Sequence, residues 1–433
     1  MMRTSKRLTA LFLGLMMTIT APLSVMGETT VETGAIQNEE KDALPSYAKA
    51  VMNLSFDQAK EFKEGENTAF STYGLCAALS VLTNGVSTSS PNHQKLLSLL
   101  GAKSLEELNA QNQVFLSKTD YGCENTFRSI DLLLVDKSVA GKEGIKSAFM
   151  TRVSEKYPIT ARTADFQNNL AKEKQLIKEA VSEATNGFLP DYESIADEET
   201  KVDLMNITYF KGKWMYPFEK KDTKQKKFTN FKGKTKKVPM MRKTFDEQIR
   251  YYEDKHFRGI ILPYSAKTEA GTFSQNRAEM YVILPKKKTS TKGVKQWNQK
   301  SAAYKRRFLK KLRNARTYNI VNLLLPSFET DVTLSLEDLM EKEDLGGLFG
   351  SNAGINEIVE QPLCVSAISQ RTKIKVDEEG TEAAAVTEIA AKCTAIMNPP
   401  KKPVYNFCCK VPFVYMICDT NGMPIFCGSV SNL

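Results

Sequence analysis

Two histidines and two tryptophans are all that 433 residues contain, and that scarcity narrows the chemistry at once. His93 stands in Ser90-Pro-Asn-His-Gln and His256 in Glu253-Asp-Lys-His-Phe, neither beside a nucleophile. No GxSxG elbow and no HExxH pair occurs, which argues against a hydrolase built on a histidine base or on histidine-bound zinc. Gly233-Lys-Thr lacks the upstream glycine of a phosphate-cradling loop. A carboxylate pair acting on a glycoside stays open on residue counts alone. There is no CxxC pair and no histidine near any cysteine, so a zinc site is not expected. Long apolar runs are absent too: the one at residues 8–19 is shorter than the roughly 20 residues a bilayer span needs. With no Pro/Gly/Ser-rich linker and no internal repeat, one continuous domain is the simplest organisation, although the length allows two or three.

The short apolar run has a reading of its own. Arg3, Lys6 and Arg7 precede it and Val25-Met26-Gly27 follow, the layout of a signal peptide cut after Gly27. Residues 1–27 are therefore expected to be removed, leaving a secreted, extracellular chain over 28–433 with no membrane span. Loss of those three cations lowers the net charge from +10 to +7. The excess gathers in residues 220–237, with nine lysines, and in residues 305–316. In the second stretch Phe308, Leu309 and Leu312 form an apolar stripe beneath a basic face. For a secreted chain the natural counterion is a sulfated polysaccharide such as heparin rather than nucleic acid. The plain alternative is a solvated helix.

Eight cysteines could form disulfides, but their spacing is not that of a small stapled fold. Adjacent Cys408 and Cys409 would make a strained bridge. A tight turn at Asp419-Thr-Asn-Gly422 would place Cys418 opposite a residue near Met423 rather than Cys427. Most are expected to be buried thiols, with one or two bridges open.

Apolar residues recur at helical intervals in residues 44–63, 71–83, 94–100 and 170–185, so the first half reads as mainly helical. Strand patterns follow at residues 201–210, 238–241, 260–262, 280–284, 318–326, 373–377, 412–418 and 423–430. Segregated helices and strands fit an α+β fold better than a doubly wound sheet. The stretch Asp377-Glu-Glu-Gly-Thr-Glu-Ala-Ala-Ala-Val-Thr-Glu-Ile-Ala-Ala-Lys-Cys393 is the most unusual. Helix propensity alone would make its alanines helical. With a period of two, however, Thr381, Ala383, Ala385, Thr387, Ile389 and Ala391 share an uncharged face, while Glu382, Glu388 and Lys392 share the other. The segment can thus be a loop and also a strand with one buried side, because charge is confined to the outer face. Gly380 supplies a permissive hinge at its entry.

Taken in order, several motifs resemble the serpin family over nearly all of the mature chain. They are Asn67-Thr-Ala-Phe-Ser71, Asn206-Ile-Thr-Tyr-Phe-Lys-Gly-Lys-Trp-Met-Tyr-Pro-Phe218, Val238-Pro-Met-Met241, Glu378-Glu-Gly-Thr-Glu-Ala-Ala-Ala385, Pro412-Phe-Val-Tyr-Met-Ile417 and Phe426-Cys-Gly428. The resemblance implies one domain of three β-sheets and eight or nine helices, with a protease-bait loop over about 378–403. It also implies a suicide-type inhibitor rather than an enzyme. A target serine protease (trypsin-, chymotrypsin- or elastase-like) attacks the loop, and the cut loop inserts into the main sheet, trapping the acyl-enzyme. The partner is then a covalently held protease, the inhibitor a monomer, and no cofactor is needed beyond a heparin-like glycosaminoglycan as accelerator. The alternative is a non-inhibitory member acting as a binding or chaperone module.

The resemblance also assigns residues. The hinge comprises Glu378, Glu379, Gly380, Thr381, Glu382, Ala383, Ala384, Ala385 and Thr387. Counting forward from the hinge puts the scissile bond at Thr394–Ala395, with Lys392, Cys393 and Met397 as alternatives, whereas counting back from Phe407 and Pro412 lands near Lys401. Ser71, Asn206 and Gln370 fall where the family's main sheet must part, with Trp214 where the loop enters. Two departures stand out: Thr72 replaces the proline after Ser71, and Gln370 replaces a histidine. Glutamine donates and accepts like neutral imidazole, so a hydrogen-bonded cluster remains feasible; it is either a latch on sheet opening or ordinary core satisfaction. The basic stretch matches a surface that binds heparin in some relatives, which nominates Lys305, Arg306, Arg307, Lys310, Lys311, Arg313 and Arg316. Of the sequons, Asn206-Ile-Thr208 would be buried, and Asn53-Leu-Ser55 on the first helix is the better glycosylation candidate.

Overall fold

The computed structural model describes residues 46–119, 126–265, 267, 278–381 and 401–433. Its strands form three sheets. The main sheet runs in the order β11 (Phe328–Ser335), β12 (Ala367–Val376), β13 (Gly380–Thr381), β4 (Val202–Lys213), β2 (Thr126–Asp136) and β3 (Ile159–Ala164). The second sheet is β1 (Thr68–Ser71), β16 (Pro424–Val430), β15 (Phe413–Asp419), β9 (Ala278–Pro285), β8 (Phe257–Pro263) and β7 (Arg250–Glu253). The third is β14 (Val404–Cys408), β10 (Ile320–Pro326), β6 (Thr235–Asp246) and β5 (Lys224–Thr229). Strands β8, β9, β15 and β16 are buried at every position, which is why they read as near-continuous apolar runs instead of alternating ones.

Ten α-helices lie among the described residues, more than the eight or nine the resemblance implies. They are α1 (Ser46–Glu61), α2 (Thr72–Gly85), α3 (Pro91–Leu99), α4 (Leu105–Thr119), α5 (Lys137–Ala140), α6 (Ser147–Ser154), α7 (Phe166–Ala184), α8 (Gly293–Asn298), α9 (Ala302–Arg313) and α10 (Glu337–Lys342). Helix α2 is buried along its whole length, as an apolar helix enclosed by its neighbours must be. Helix α7 packs Phe166, Ile177 and Val181 against Leu132 and Leu134 of β2 and Met205 of β4. Each such side chain contributes about 1.5–3 kcal/mol on burial.

The architecture is α+β as read from the pattern, but the first half is less helical than its periodicity suggests. Strands β2 and β3 both lie there, and together they form one edge of the main sheet beside β4. In the C-terminal hairpin Cys418 pairs with Pro424, one residue from the expected partner. Cys76, Cys364, Cys408, Cys409, Cys418 and Cys427 are free thiols; Cys123 and Cys393 lie outside the described residues. No described helix is long and apolar enough to cross a membrane.

Candidate functional site

Strands β12 and β4 are neighbours only part of the way. From Ala367↔Asp203 to Arg371↔Ile207 they pair in parallel. Farther on, β13 takes the place between them, with Gly380↔Lys213 and Thr381↔Gly212 on one side and Val376↔Thr381 on the other. The first two residues of the period-two segment are therefore already a wedge of strand inside the main sheet. Gly380 is required there by sterics: a Cβ at this position would stand 2.0 Å from the Gly212 carbonyl oxygen. Thr381 is buried and shares a hydrogen bond with the Tyr264 hydroxyl at 2.8 Å.

A set of backbone and side-chain bonds seats this hinge. Trp214 stacks on Tyr264 at 4.5 Å and donates its Nε1–H to the Asp377 carbonyl at 3.0 Å. The amides of Trp214 and Phe218 donate to the carbonyls of Glu379 and Glu378, while Asp377 Oδ1 accepts from the amides of Glu379 and Gly380. Thr223 Oγ1 donates to Glu378 at 2.6 Å, and Lys220 Nζ contacts Glu379 Oε1 at 2.8 Å. That carboxylate raises the Lys220 ammonium above its ordinary value by hydrogen bonding. Glu379 Oε2 is buried without a partner, so Lys220 is the cation that balances a carboxylate turned into the protein.

At the other end of the paired segment, polar side chains cross the sheet on the side facing α2. Gln370 of β12 grips Ser71 at both backbone groups, accepting from its N–H at 2.7 Å and donating to its carbonyl at 2.8 Å. The Ser71 hydroxyl caps α2 by accepting from Gly74 N and donates to the Ile425 carbonyl. Gln370 Nε2 also lies 3.5 Å from Asn206 Oδ1, which accepts from Thr208. Asn206 Nδ2 then donates to Asp131 at 2.8 Å and to Ser129 at 3.1 Å on β2. Helix α2 sits directly on this amide, because a Cβ at Gly74 would come within 1.9 Å of Asn206 Oδ1. Ser71 and Asn206 do not touch; Gln370 joins them. The replacement of histidine by glutamine thus leaves a donor and an acceptor, and both are used.

Burial pushes the Asp131 carboxyl up to about 7. It escaped the sequence reading, yet a signal was present: a lone acid inside Ile130-Asp131-Leu-Leu-Leu-Val135. A strand reading of that run would have placed a carboxylate in the core.

The remaining nominated residues divide. Glu378, Glu379, Gly380 and Thr381 are described above, whereas Glu382, Ala383, Ala384, Ala385, Thr387, Lys392, Cys393, Thr394, Ala395 and Met397 lie outside the described residues. On α9 the basic set is not one face. Lys305 is fully buried, donates to the Asn298 carbonyl and lies 4.8 Å over Phe56; burial pulls its ammonium down to about 8. It therefore leaves the expected polyanion surface, because its position on the helix points inward beside Phe308 and Leu309. Arg306 is half-buried and donates to Asn53, and Arg313 is half-buried, while Arg307, Lys310, Lys311 and Arg316 are exposed. Asn206 and Thr208 are buried, as expected for the first sequon; Asn53 is half-buried.

Comparison with known proteins agrees with this geometry. The family model described as "Serpin (serine protease inhibitor)" matches residues 49–433. The chain is 28% identical over 381 residues to Serpin-ZX of Hordeum vulgare, covering 84% of this chain and 90% of that one. Its structure is similar to that of Arabidopsis AtSerpin1 in the native stressed conformation, with a TM-score of 0.71, 21% identity, and coverage of 89% of this chain and 98% of that one. It is also similar to human thyroxine-binding globulin complexed with its hormone, with a TM-score of 0.74, 22% identity, and coverage of 90% and 99%.

Proposed function

Because this chain belongs to the serpin family, we propose that it is a secreted suicide inhibitor of serine proteases, trapping its target as an acyl-enzyme by loop insertion. The observation that carries the reading is β13: Gly380 and Thr381 already occupy the slot between β12 and β4. The residues due to follow on the same face, Ala383, Ala385 and Thr387, are small and uncharged, so extending the wedge buries no charge. Cleavage frees the far end of the loop, and the new strand then lengthens from Thr381 toward the Gln370–Asn206 row. Insertion lowers the free energy of a kinetically trapped native state and carries the attached protease with it. Cleavage at Thr394–Ala395 would suit an elastase-like enzyme with a small primary pocket.

The leader of residues 1–27 supports an extracellular site of action, where a glycosaminoglycan would meet Arg307, Lys310 and Lys311 on the exposed part of α9 and Arg316 just beyond its end. Loss of heparin affinity with rising salt is the behaviour this requires. One observation favours a second reading, a ligand carrier. A cavity of about 520 Å³ lies between the end of α1 and α8, walled by Phe62, Phe231 and Val294, with Lys292 and Lys295 at its edge both paired to Glu64; its size and apolar wall suit a small, largely apolar ligand.

The test mixes purified protein with trypsin-, chymotrypsin- and elastase-like proteases, resolves the products on denaturing gels and sequences the released C-terminal fragment. A band at the summed mass with a fragment beginning at Ala395 is expected. Cleavage by every enzyme without a covalent band would sink the inhibitor reading and leave the carrier.

A further inference from the structure

Asp131 lies on β2, the second strand from the edge of the main sheet, 1% exposed, and only half of its carboxylate is satisfied. Oδ1 accepts from Asn206, whereas Oδ2 is buried with no hydrogen-bond partner. The groups facing it are Tyr47 from α1, Tyr73 from α2, Tyr157 just before β3 and Asn206 from β4, and none is a cation. Asn206 is directly opposite Asp131 on one side and Gln370 on the other. This row is also almost the last at which β12 and β4 pair directly, Arg371↔Ile207 being the next. A strand growing downward from β13 must part the sheet at this row.

We propose that Asp131 is a positioning residue for loop insertion: while protonated it lets the Asn206–Gln370 clasp stay shut, and on losing its proton it loosens that clasp. The claim rests on the insertion reading above. An ionised Asp131 has one donor and one orphaned oxygen in a buried site, a state that costs far more than the neutral form. Admitting water between the strands relieves it. Such a shift draws on Asn206 Nδ2, and the same amide receives Gln370 through Oδ1, so the strain passes to the side chain that holds Ser71. The native carboxyl titrates near 7 because burial opposes its charge, which puts the transition inside the physiological range. No charged group on α1, α2 or β4 stands ready to cancel it.

The experiment uses the full-length protein and a synthetic peptide with the sequence of residues 378–391, followed by the rate at which the peptide enters the main sheet between pH 6 and pH 9. The glutamates of the peptide are already ionised across that window. Wild type should anneal up to about tenfold faster at pH 8 than at pH 6, the change expected when one group of closed-state pKa near 7 sheds its proton. Asp131→Asn should anneal slowly and without this slope. Asp203→Asn should keep it, because Asp203, three residues before Asn206 on the same strand, meets Ser194 and makes no bond to the clasp amide, which goes to Asp131. A flat wild-type profile overturns the proposal, and that result needs no variant to fold. A slope retained in Asp131→Asn overturns it as well. If no protein anneals peptide at any pH, the insertion reading fails instead. The clasp is then judged by urea unfolding, where wild type should lose stability relative to Asp131→Asn as pH rises from 5 to 8, and equal profiles refute it.

Discussion

At the hinge end of the main sheet, β13 is seated by backbone hydrogen bonds, by the buried Tyr264–Thr381 bond and by a lysine that stands mostly in solvent; at the Gln370 end, β12 and β4 are joined through a row of buried side chains. Lys220 is 75% exposed beside a Glu379 that is 17% exposed, whereas Ser71, Asn206, Gln370 and Asp131 are all 2% exposed or less. Exposed pairs are exchanged easily with water and salt. Buried networks are either intact or costly. The sheet is therefore open where entry begins and closed where entry must proceed, so resistance to insertion rises along the path. Under the proposed insertion, control of the step belongs to the closed end.

The contrast can be broken most severely at Thr381. Replacing it with Arg puts an unpaired charge into the slot, a burial that costs at least several kcal/mol, so covalent complex on denaturing gels should fall by about tenfold or more while cleavage by the protease continues. Next comes Gln370→Leu, which strips both backbone groups of Ser71 of their partner. At about 1–3 kcal/mol for each of the two buried groups left unsatisfied, native stability in urea should drop by about 2–6 kcal/mol, and insertion of the loop peptide should quicken. Trp214→Phe keeps the stack on Tyr264 but deletes the bond to the Asp377 carbonyl, with an expected loss of about 1 kcal/mol and of the fluorescence that reports the hinge. Lys220→Gln should be the mildest, leaving the unfolding midpoint unchanged; a large loss would mean that the hinge end is not the loose one.

A pH series sharpens the same comparison. A carboxyl whose native pKa is raised binds its proton more tightly in the folded state, so it stabilises the fold below its unfolded value near 4. That contribution fades as pH rises through the native value. Asp131 and Asp203, both pushed up to about 7 by burial, should therefore cost native stability between about pH 4 and pH 7. The double Asn variant should show a shallower decline in urea midpoint than wild type over that window. Equal declines would place the burden elsewhere.

Much of this was legible in the chain itself, and the failures have physical causes. Strands β8, β9, β15 and β16 were found because all-buried strands leave apolar runs that few helices imitate, whereas the partly exposed β5, β7, β11 and β14 were missed because they leave none. Gly380 and Thr381 do form a strand, as the period-two pattern allowed, while the rest of that two-faced segment lies outside the described residues. Strand β2 was missed because the run that carries it is interrupted by Asp131, the residue that later proves informative. Lys305 was misplaced because a lysine on an amphipathic helix is assigned to solvent by default, whereas here its stem crosses to Phe56 and its ammonium reaches the Asn298 carbonyl. The clasp joins residues far apart in sequence, and no local pattern announces it. Ser71, Asn206 and Gln370 came from family resemblance, and only the fold shows that Gln370 is the link.

The wedge of Gly380 and Thr381 has a kinetic consequence. A zipper usually waits for its first tooth, since bringing distant chain ends together carries an entropic penalty that grows with the span between them. Here the first tooth is engaged before anything cuts the chain. Strand growth should then begin without a lag, at a pace set by how fast successive pairs close and by the obstacle at Asn206. Under the proposed mechanism, a longer bait loop would alter the distance a captured enzyme travels far more than the moment at which it starts to move.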